Sequence, residues 1–207
     1  MDFTAGACIR FGWETFKKRP WFYIGINLLI GAAYGGVSMF SDALGMFGFI
    51  VNFLVGTLLG LAVTAFYLKA HDNPDTVEVS DLWNPELLNK YASYLGAACL
   101  SGLVIILGFI LLIVPGMILS LIFFFTSYAV VDKNLGPVEA MKESARITKG
   151  YRWSLFGLCI LLGLVMILGL LCFLVGILVA MPVVALAIVH AYRELEKRTM
   201  LVPVPAV

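Results

Sequence analysis

Three long stretches that are almost free of charge constrain this chain more than any other feature. They cover residues 21–68, 91–131 and 153–192, and Asp42 is the one Asp, Glu, Lys or Arg inside them. A helix of 40 residues would be about 60 Å long, twice the thickness of the hydrocarbon core of a bilayer. Each stretch must therefore cross a membrane, turn and return. This predicts an all-α membrane protein with six transmembrane helices arranged as three hairpins.

The composition agrees with a membrane protein. Hydrophobic residues make up 61% of the 207 residues and charged residues 13%, whereas about 25% of the residues in a soluble domain are charged. The net charge of +1 argues against a nucleic-acid-binding protein, which carries a strong basic excess. The four cysteines form no Cys-x-x-Cys pair, and we expect no disulfide framework, metal site or cofactor.

Turn-forming residues near the middle of each stretch predict where the spans end. We expect the turns around residues 41–42, at Pro115 and Gly116, and between residues 173 and 176. The predicted spans are residues 21–40, 44–68, 91–113, 116–131, 153–172 and 177–192. The fourth span would be about 24 Å long, which is short for a full crossing. Residues 1–198 would form one membrane domain, and residues 199–207 a flexible tail.

The distribution of charge predicts the orientation of the spans. An even number of spans between polar segments places all of these segments on one side of the membrane, together with all 14 lysines and arginines. Short basic loops remain in the cytoplasm. We therefore expect both termini of the chain to be cytoplasmic.

The polar segment before each hairpin is predicted to form an amphipathic helix at the membrane interface. Pro137 in the third segment suits the first turn of such a helix. A shift of 132 residues aligns Lys17 with Lys149 and Trp21 with Trp153. The order of one amphipathic helix and two spans thus suggests a threefold parallel repeat.

Basic and aromatic residues cluster where two of the polar segments meet their spans. They are Trp13, Lys17, Lys18, Arg19 and Trp21 in the first segment, and Arg146, Lys149, Arg152 and Trp153 in the third. Each cation near an anionic membrane surface contributes about 1 kcal/mol to binding. One interpretation is contact with anionic lipid headgroups or a partner, and the alternative is that these residues only orient the hairpins.

The deepest polar residues of the spans each begin a row of small residues. The rows are Asn27, Gly31 and Gly35 in the first span, and Asn52, Gly56 and Gly60 in the second. Glycine at every fourth position lets two helix backbones approach closely, which favours a role in helix packing. The alternative is that these rows provide the polar lining of a pore.

The sequence contains no recognised enzyme motif, and no ionisable residue lies near the middle of a span. We therefore expect a non-catalytic scaffold or lipid-contacting accessory protein, which could be a homo-oligomer or bind a membrane-protein partner. A small-solute transporter or channel is the main alternative. A lipid-modifying enzyme is the third, and it could draw only on Glu139, Glu143 and His190, whose spacing supports no mechanism.

Four segments are distinctive when taken together. They read DLWNPELLNKY, IVPGMIL, YAVVDKNLGPVEAMKESARITKGYRW and VGILVAMPVVALAIVHAYRELE. In these segments the chain resembles an uncharacterised bacterial family of integral membrane proteins, allied to the membrane domain found beside glycerophosphodiester phosphodiesterases. The resemblance implies a compact six-span unit of unknown role in a prokaryotic plasma membrane. It implies no phosphodiesterase activity, because that activity belongs to a separate soluble barrel domain.

The predicted topology can be tested with reporters fused to the two ends of the chain. We expect both reporters to be cytoplasmic, because six crossings return the chain to the side on which it began. A fluorescent protein that matures only in the cytoplasm and a phosphatase that is active only outside it would measure this. Reporters found on opposite sides would contradict the three-hairpin arrangement.

Overall fold

A computed structural model describes residues 4–201, apart from the side chains of Met46, residues 173–175 and Leu201. Within this range the chain forms nine α-helices, one short 3-10 helix at Val79–Trp83 and no strand. The α-helices are α1 (Ala5–Lys18), α2 (Pro20–Ala43), α3 (Met46–Asp72), α4 (Glu86–Leu111), α5 (Ile113–Ile122), α6 (Thr126–Lys133), α7 (Pro137–Thr148), α8 (Arg152–Leu171) and α9 (Phe173–Leu201). The predicted all-α fold is confirmed.

Six helical segments are long and apolar enough to cross a membrane. They are Pro20–Ala43, Phe47–Asp72, Glu86–Leu111, Ile113–Lys133, Arg152–Leu171 and Gly176–Met200. Successive spans pack against each other, α2 on α3, α4 on α5, and α8 on α9. The prediction of six spans is therefore confirmed, although several of their ends differ from the predicted positions.

The second hairpin reverses at Leu112 and not at Pro115 and Gly116. Leu112 has an extended backbone with φ of −168° and ψ of 153°, and α5 begins at the next residue. Pro115 lies in the first turn of α5, where its missing N–H costs nothing because the first N–H groups of a helix have no intrahelical partner. The fourth span is consequently 21 residues long, at Ile113–Lys133, which is longer than predicted.

The fourth span is interrupted between Ile122 and Thr126, where α5 ends and α6 begins. The hydroxyl of Ser144, a fully buried residue of α7, accepts a hydrogen bond from the N–H of Phe125 (3.1 Å) and donates one to the carbonyl of Ile122 (2.7 Å). Non-helical backbone that is shielded from water persists only where protein groups satisfy its hydrogen bonds. Helix α7 thus completes the fourth span.

The other two hairpins reverse near the predicted positions. The first turns at Leu44 and Gly45, and Gly45 has a φ of 59°, which favours glycine. The third turns at Cys172. Helix α9 continues through Leu201, past the predicted start of the tail at residue 199, while residues 202–207 lie outside the described part of the chain.

Small residues face each other one or two turns from the reversal of every hairpin. The facing pairs are Ser41 with Gly48, Gly108 with Gly116, and Gly169 with Gly176. A Cβ atom placed on Gly108 would lie 3.1 Å from the Cα of Gly116, and one on Gly169 would lie 2.9 Å from the carbonyl oxygen of Gly176. Larger side chains would hold the two spans of a hairpin apart at these points.

The predicted rows of small residues do not make such contacts within the chain. A Cβ atom on Gly31 or Gly35 would meet no other atom within 4 Å. An added Cβ on Gly56 would lie 3.8 Å from the ring of Tyr34 in α2, and one on Gly60 would lie 3.3 Å from the hydroxyl oxygen of Tyr94 in α4. Tyrosine side chains, rather than a second glycine, thus lie beside this row of α3, and the role of the two rows in helix packing or in lining a pore stays a prediction.

The polar segments pack on the hairpins in cyclic order. The 3-10 helix packs on α3 of the first hairpin, α7 packs on α4, α5 and α6 of the second, and α1 packs on α8 and α9 of the third. Gly12 of α1 makes the last contact possible, because a Cβ atom there would collide with the carbonyl of Val183 and lie 3.2 Å from the nitrogen of Ala187. If one polar segment and the hairpin that follows it are called a unit, each of the first two hairpins is covered by the polar segment of the next unit. The third hairpin is covered by α1, the polar segment of the first unit.

The pattern of burial supports a repeat of the first and third units. The buried residues of α1 are Cys8, Gly12, Thr15 and Phe16, and those of α7 are Ala140, Ser144, Ile147 and Thr148. Each residue of the first set lies 132 positions before its counterpart in the second. This is the same shift that aligns Trp21 with Trp153. The same shift therefore relates side-chain burial as well as residue identity.

The contact between α1 and α9 predicts the effect of enlarging Gly12. We expect Gly12→Leu to lower the free energy of unfolding by about 1–3 kcal/mol or more, because the added side chain meets backbone atoms that cannot move aside. Gly31→Leu is the matched control, since the space beside Gly31 is open. Thermal unfolding in detergent would measure both, and equal melting temperatures would contradict this packing.

Candidate functional site

The polar segments meet at one end of the bundle, which we call the charged end. Arg19, between α1 and α2, donates a hydrogen bond to the carbonyl of Val77 in the segment after α3 (3.1 Å). Arg193 of α9 pairs with Asp72 of α3 (2.7 Å) and with Asp132 of α6 (2.8 Å). The polar segments between the hairpins therefore lie together, as an even number of spans between them requires.

Seven charged side chains on four helices form an ionic cluster at this end. They are Asp72 of α3, Asp132 and Lys133 of α6, Glu143 and Arg146 of α7, and Arg193 and Glu196 of α9. Arg193 bridges Asp72, Asp132 and Glu196, while Lys133 joins Glu143 (2.6 Å) to Glu196 (2.8 Å). The cluster ties the last turns of α3 and α6 to α7 and α9.

Two candidate catalytic residues have structural contacts instead. Hydrogen bonds from Arg146 and then from Lys133, together with their charges, lower the pKa of Glu143 to about 2 although its partial burial opposes this. Glu143 is therefore ionised at neutral pH and is a poor proton donor. The carboxylate of Glu139 accepts a hydrogen bond from the N–H of Gly136 (3.3 Å), which caps the start of α7.

A pair of histidines joins α3 to α9. His71 Nε2 and His190 Nδ1 are 3.2 Å apart, and the ring of Phe11 from α1 stacks on His190 with 4.1 Å between the centroids. Sequence reasoning did not pair these histidines, because they are 119 residues apart. Their shared position near the end of a second hairpin span was the one available signal. His190, Glu139 and Glu143 thus contact three different sets of partners.

The tryptophans predicted to contact headgroups lie on the surface. Trp21 and Trp153 occupy the second position of α2 and α8, and their side chains are 84% and 86% exposed. Four exposed cations near them in sequence form no ion pair with any other described residue: Lys17, Lys18, Lys149 and Arg152. These cations and tryptophans form two basic-aromatic surfaces, one at the start of α2 and one at the start of α8.

The remaining members of the two predicted clusters have partners in the protein. Arg19 donates to the carbonyls of Asp75 and Val77, and its guanidinium lies 4.2 Å from the ring centroid of Phe22. Arg146 belongs to the ionic cluster. Trp13 is partly exposed and lines a groove beside α8 and α9. The fold therefore separates cations that hold the structure together from cations that remain available to an outside anion.

The two asparagines do not share an environment. The side-chain nitrogen of Asn27 donates to the hydroxyl of Tyr67 and to the carbonyl of Tyr23, both at 2.8 Å. Asn27 thus links α2 to α3. Asn52 is exposed on α3. The two asparagines therefore have different surroundings in the described part of the chain, and a pore lined by them stays an untested alternative.

Apolar grooves run along the outside of the bundle. One of about 460 Å³ lies between α8 and α9 beside Trp13, and another of about 310 Å³ lies between α5 and α8. The walls of both are almost entirely hydrocarbon, and Arg152 is the one charged residue of the second. Grooves of this composition suit acyl chains better than polar solutes.

The fold and its surfaces define a helical multi-pass membrane protein that has its charges gathered at one end. Residues 87–206 match a family described as a domain of unknown function, DUF7847. Because the match covers more than half of the sequence, the chain belongs to this family.

Relatives of the chain occur in mycobacteria. Two uncharacterised proteins of Mycobacterium tuberculosis and one of Mycobacterium bovis are 27% identical to it over 166 residues. The alignment covers 78% of this chain and 46% of each relative, so the chain spans about half the length of these proteins. No solved structure matches the chain. These comparisons show an uncharacterised family and no link to the membrane domain found beside glycerophosphodiester phosphodiesterases.

The ionic cluster predicts a large difference between two arginine substitutions. We expect Arg193→Gln to lower the free energy of unfolding by about 3–5 kcal/mol, because three carboxylates would lose their shared partner. Arg10 also forms an ion pair, with Glu14, but both side chains are exposed, so we expect Arg10→Gln to change nothing measurable. Thermal unfolding in detergent distinguishes the two, and a stable Arg193→Gln protein would show that the cluster does not hold the helices.

Proposed function

We propose that this chain is a non-catalytic membrane protein that binds anionic lipid headgroups through its basic-aromatic surfaces and so organises the local bilayer or a membrane partner. One observation carries the proposal. Lys17, Lys18, Lys149 and Arg152 are exposed without an ion-pair partner among the described residues, next to tryptophans that are also exposed.

The contrast with other cations at the charged end supports this function. Lys133, Arg146 and Arg193 are held by carboxylates, and Arg19 is held by backbone carbonyls. The cations of the basic-aromatic surfaces have no such internal role. Each would contribute about 1 kcal/mol near an anionic leaflet, and tryptophan rings prefer the headgroup region.

The proposal includes an orientation. The lysines and arginines belong to segments that meet at the charged end, and short basic segments are retained in the cytoplasm. We therefore place the charged end and both termini on the cytoplasmic side of a plasma membrane. The anionic headgroups of that leaflet would then lie opposite the basic-aromatic surfaces.

The alternative functions receive less support from the geometry. An enzyme needs acids and bases that converge, but Glu139, Glu143 and His190 each contact different partners. A solute path needs a shared polar lining, but Asn27 bonds across a helix contact while Asn52 is exposed. Kinship with the membrane domain found beside glycerophosphodiester phosphodiesterases is a proposal that rests on sequence segments, and a homo-oligomer or protein partner is proposed without an assigned site.

Lipid binding by the purified protein tests this function. Phosphatidylglycerol and phosphatidylcholine with identical acyl chains would be titrated into the protein in detergent, and bound lipids counted by native mass spectrometry. We expect wild type to prefer phosphatidylglycerol. Removing two cations with Lys17→Gln and Lys149→Gln should weaken that binding on the order of thirtyfold, as about 2 kcal/mol implies.

A matched control separates these surfaces from general charge. Lys142 and Lys197 are also exposed lysines but do not flank Trp21 or Trp153. Converting both to glutamine removes the same charge and should leave the preference for phosphatidylglycerol largely unchanged. The proposal would be wrong if the two double variants lost phosphatidylglycerol binding equally, or if wild type showed no preference for phosphatidylglycerol.

A further inference from the structure

The groove between α5 and α8 has the composition of a lipid site. It encloses about 310 Å³, and its walls are Val114, Met117, Ile118 and Leu121 of α5 with Trp153 and Phe156 of α8. All six are apolar or aromatic, and four of them, Val114, Met117, Ile118 and Trp153, are exposed at the protein surface. The groove is therefore open along its side, as a site filled from a bilayer must be.

Arg152 gives this groove a polarity that an ordinary gap between helices lacks. It is the first residue of α8, lines the groove, and forms no ion pair with another described residue. Its guanidinium can donate two parallel hydrogen bonds to a phosphate. The amino-terminal end of α8 adds a partial positive charge at the same place.

We propose that this groove binds an anionic phospholipid, with one acyl chain along α5 and the phosphate on Arg152. The inference rests on the proposed function and assigns a site and a ligand to one of its two surfaces. A neutral hydrocarbon chain would need no cation, and a free phosphate would need no apolar wall. A phospholipid with net negative charge uses both features.

The first unit offers a comparison within the same molecule. The shift of 132 residues that aligns Trp21 with Trp153 in sequence also aligns Pro20 with Arg152. The arginine nearest to Trp21 in sequence, Arg19, is held by two backbone carbonyls, so the surface at the start of α2 has an exposed tryptophan without an unpaired arginine. The fluorescence of Trp21 can therefore measure contact with the general headgroup layer, whereas that of Trp153 can measure occupancy of the groove.

Quenching of tryptophan fluorescence by brominated lipid tests the site. One variant retains Trp153 as its single tryptophan and another retains Trp21, with the others changed to phenylalanine; Trp13, Trp83 and both reporters are exposed, so these changes should leave the fold intact. The proteins would be reconstituted in dioleoylphosphatidylcholine with rising fractions of phosphatidylglycerol brominated on its acyl chains. We expect saturable quenching of Trp153 at low fractions and a gradual increase for Trp21.

Two substitutions in the variant that retains only Trp153 test the two parts of the site, which are the cation Arg152 and the apolar wall. Arg152→Gln should shift half-quenching to a roughly fivefold higher fraction of phosphatidylglycerol. Lys142→Gln removes an exposed cation that lies outside the basic-aromatic surfaces and outside the groove lining, and it should shift half-quenching much less. Ile118→Phe narrows the groove and should abolish saturation. If that variant does not fold, Val114→Phe narrows the groove at a more exposed position.

The outcomes separate this inference from the proposed function. Equal shifts for Arg152→Gln and Lys142→Gln, or unchanged saturation in the narrowed groove, would overturn the groove site while a general preference for anionic lipid remained. If native mass spectrometry shows no preference in the wild type and neither tryptophan is quenched preferentially, both proposals fail. A roughly fivefold shift in Arg152→Gln and loss of saturation in the narrowed groove, with Lys142→Gln near wild type, would establish the site.

Discussion

The exclusion of water from the backbone governs this structure, because each shielded N–H and C=O needs a partner from the protein. Helices meet that demand along most of the six spans. The break between α5 and α6 does not, and the hydroxyl of Ser144 supplies a donor and an acceptor to the interrupted backbone. Helix α7, a polar segment between two hairpins, is thereby required inside the fold. The other polar segments also pack on a hairpin. Helix α1, for example, contacts α9 closely at Gly12.

The charged end shows how a protein rich in apolar residues distributes few charges. Seven of them form the ionic cluster, where Arg193 and Lys133 each bind carboxylates from different helices. Such pairs are costly to break, although apolar packing could replace them with little loss of stability. Their value here is in specifying which helix ends meet. Lys17, Lys18, Lys149 and Arg152 lie outside the cluster and face the surroundings, and this division underlies the proposed binding of anionic lipid.

The sequence was sufficient for the number of spans, their pairing into hairpins and the gathering of polar segments at one end. It was less reliable at boundaries and contacts. Pro115 and Gly116 were predicted to form the turn of the second hairpin, but the chain reverses at Leu112. Proline is also common in the first turn of a helix, which is where Pro115 lies. The glycine rows of α2 and α3 were predicted to pack against other helices, and this stays a prediction, because helix packing depends on which residues face each row. The contacts that matter involve Gly12, Gly116 and Gly176.

Charge-free length and helical periodicity are local properties, so the sequence by itself determined a helical protein that crosses a membrane six times. Which side chains meet depends on how helices far apart in the chain are rotated and offset. Only the tertiary structure shows that His71 contacts His190 and that Ser144 bonds the backbone between α5 and α6. It also shows that Arg152 lines an apolar groove. Burial reports on these contacts, whereas hydropathy does not distinguish a lipid-facing leucine from a buried one, because both surroundings are apolar.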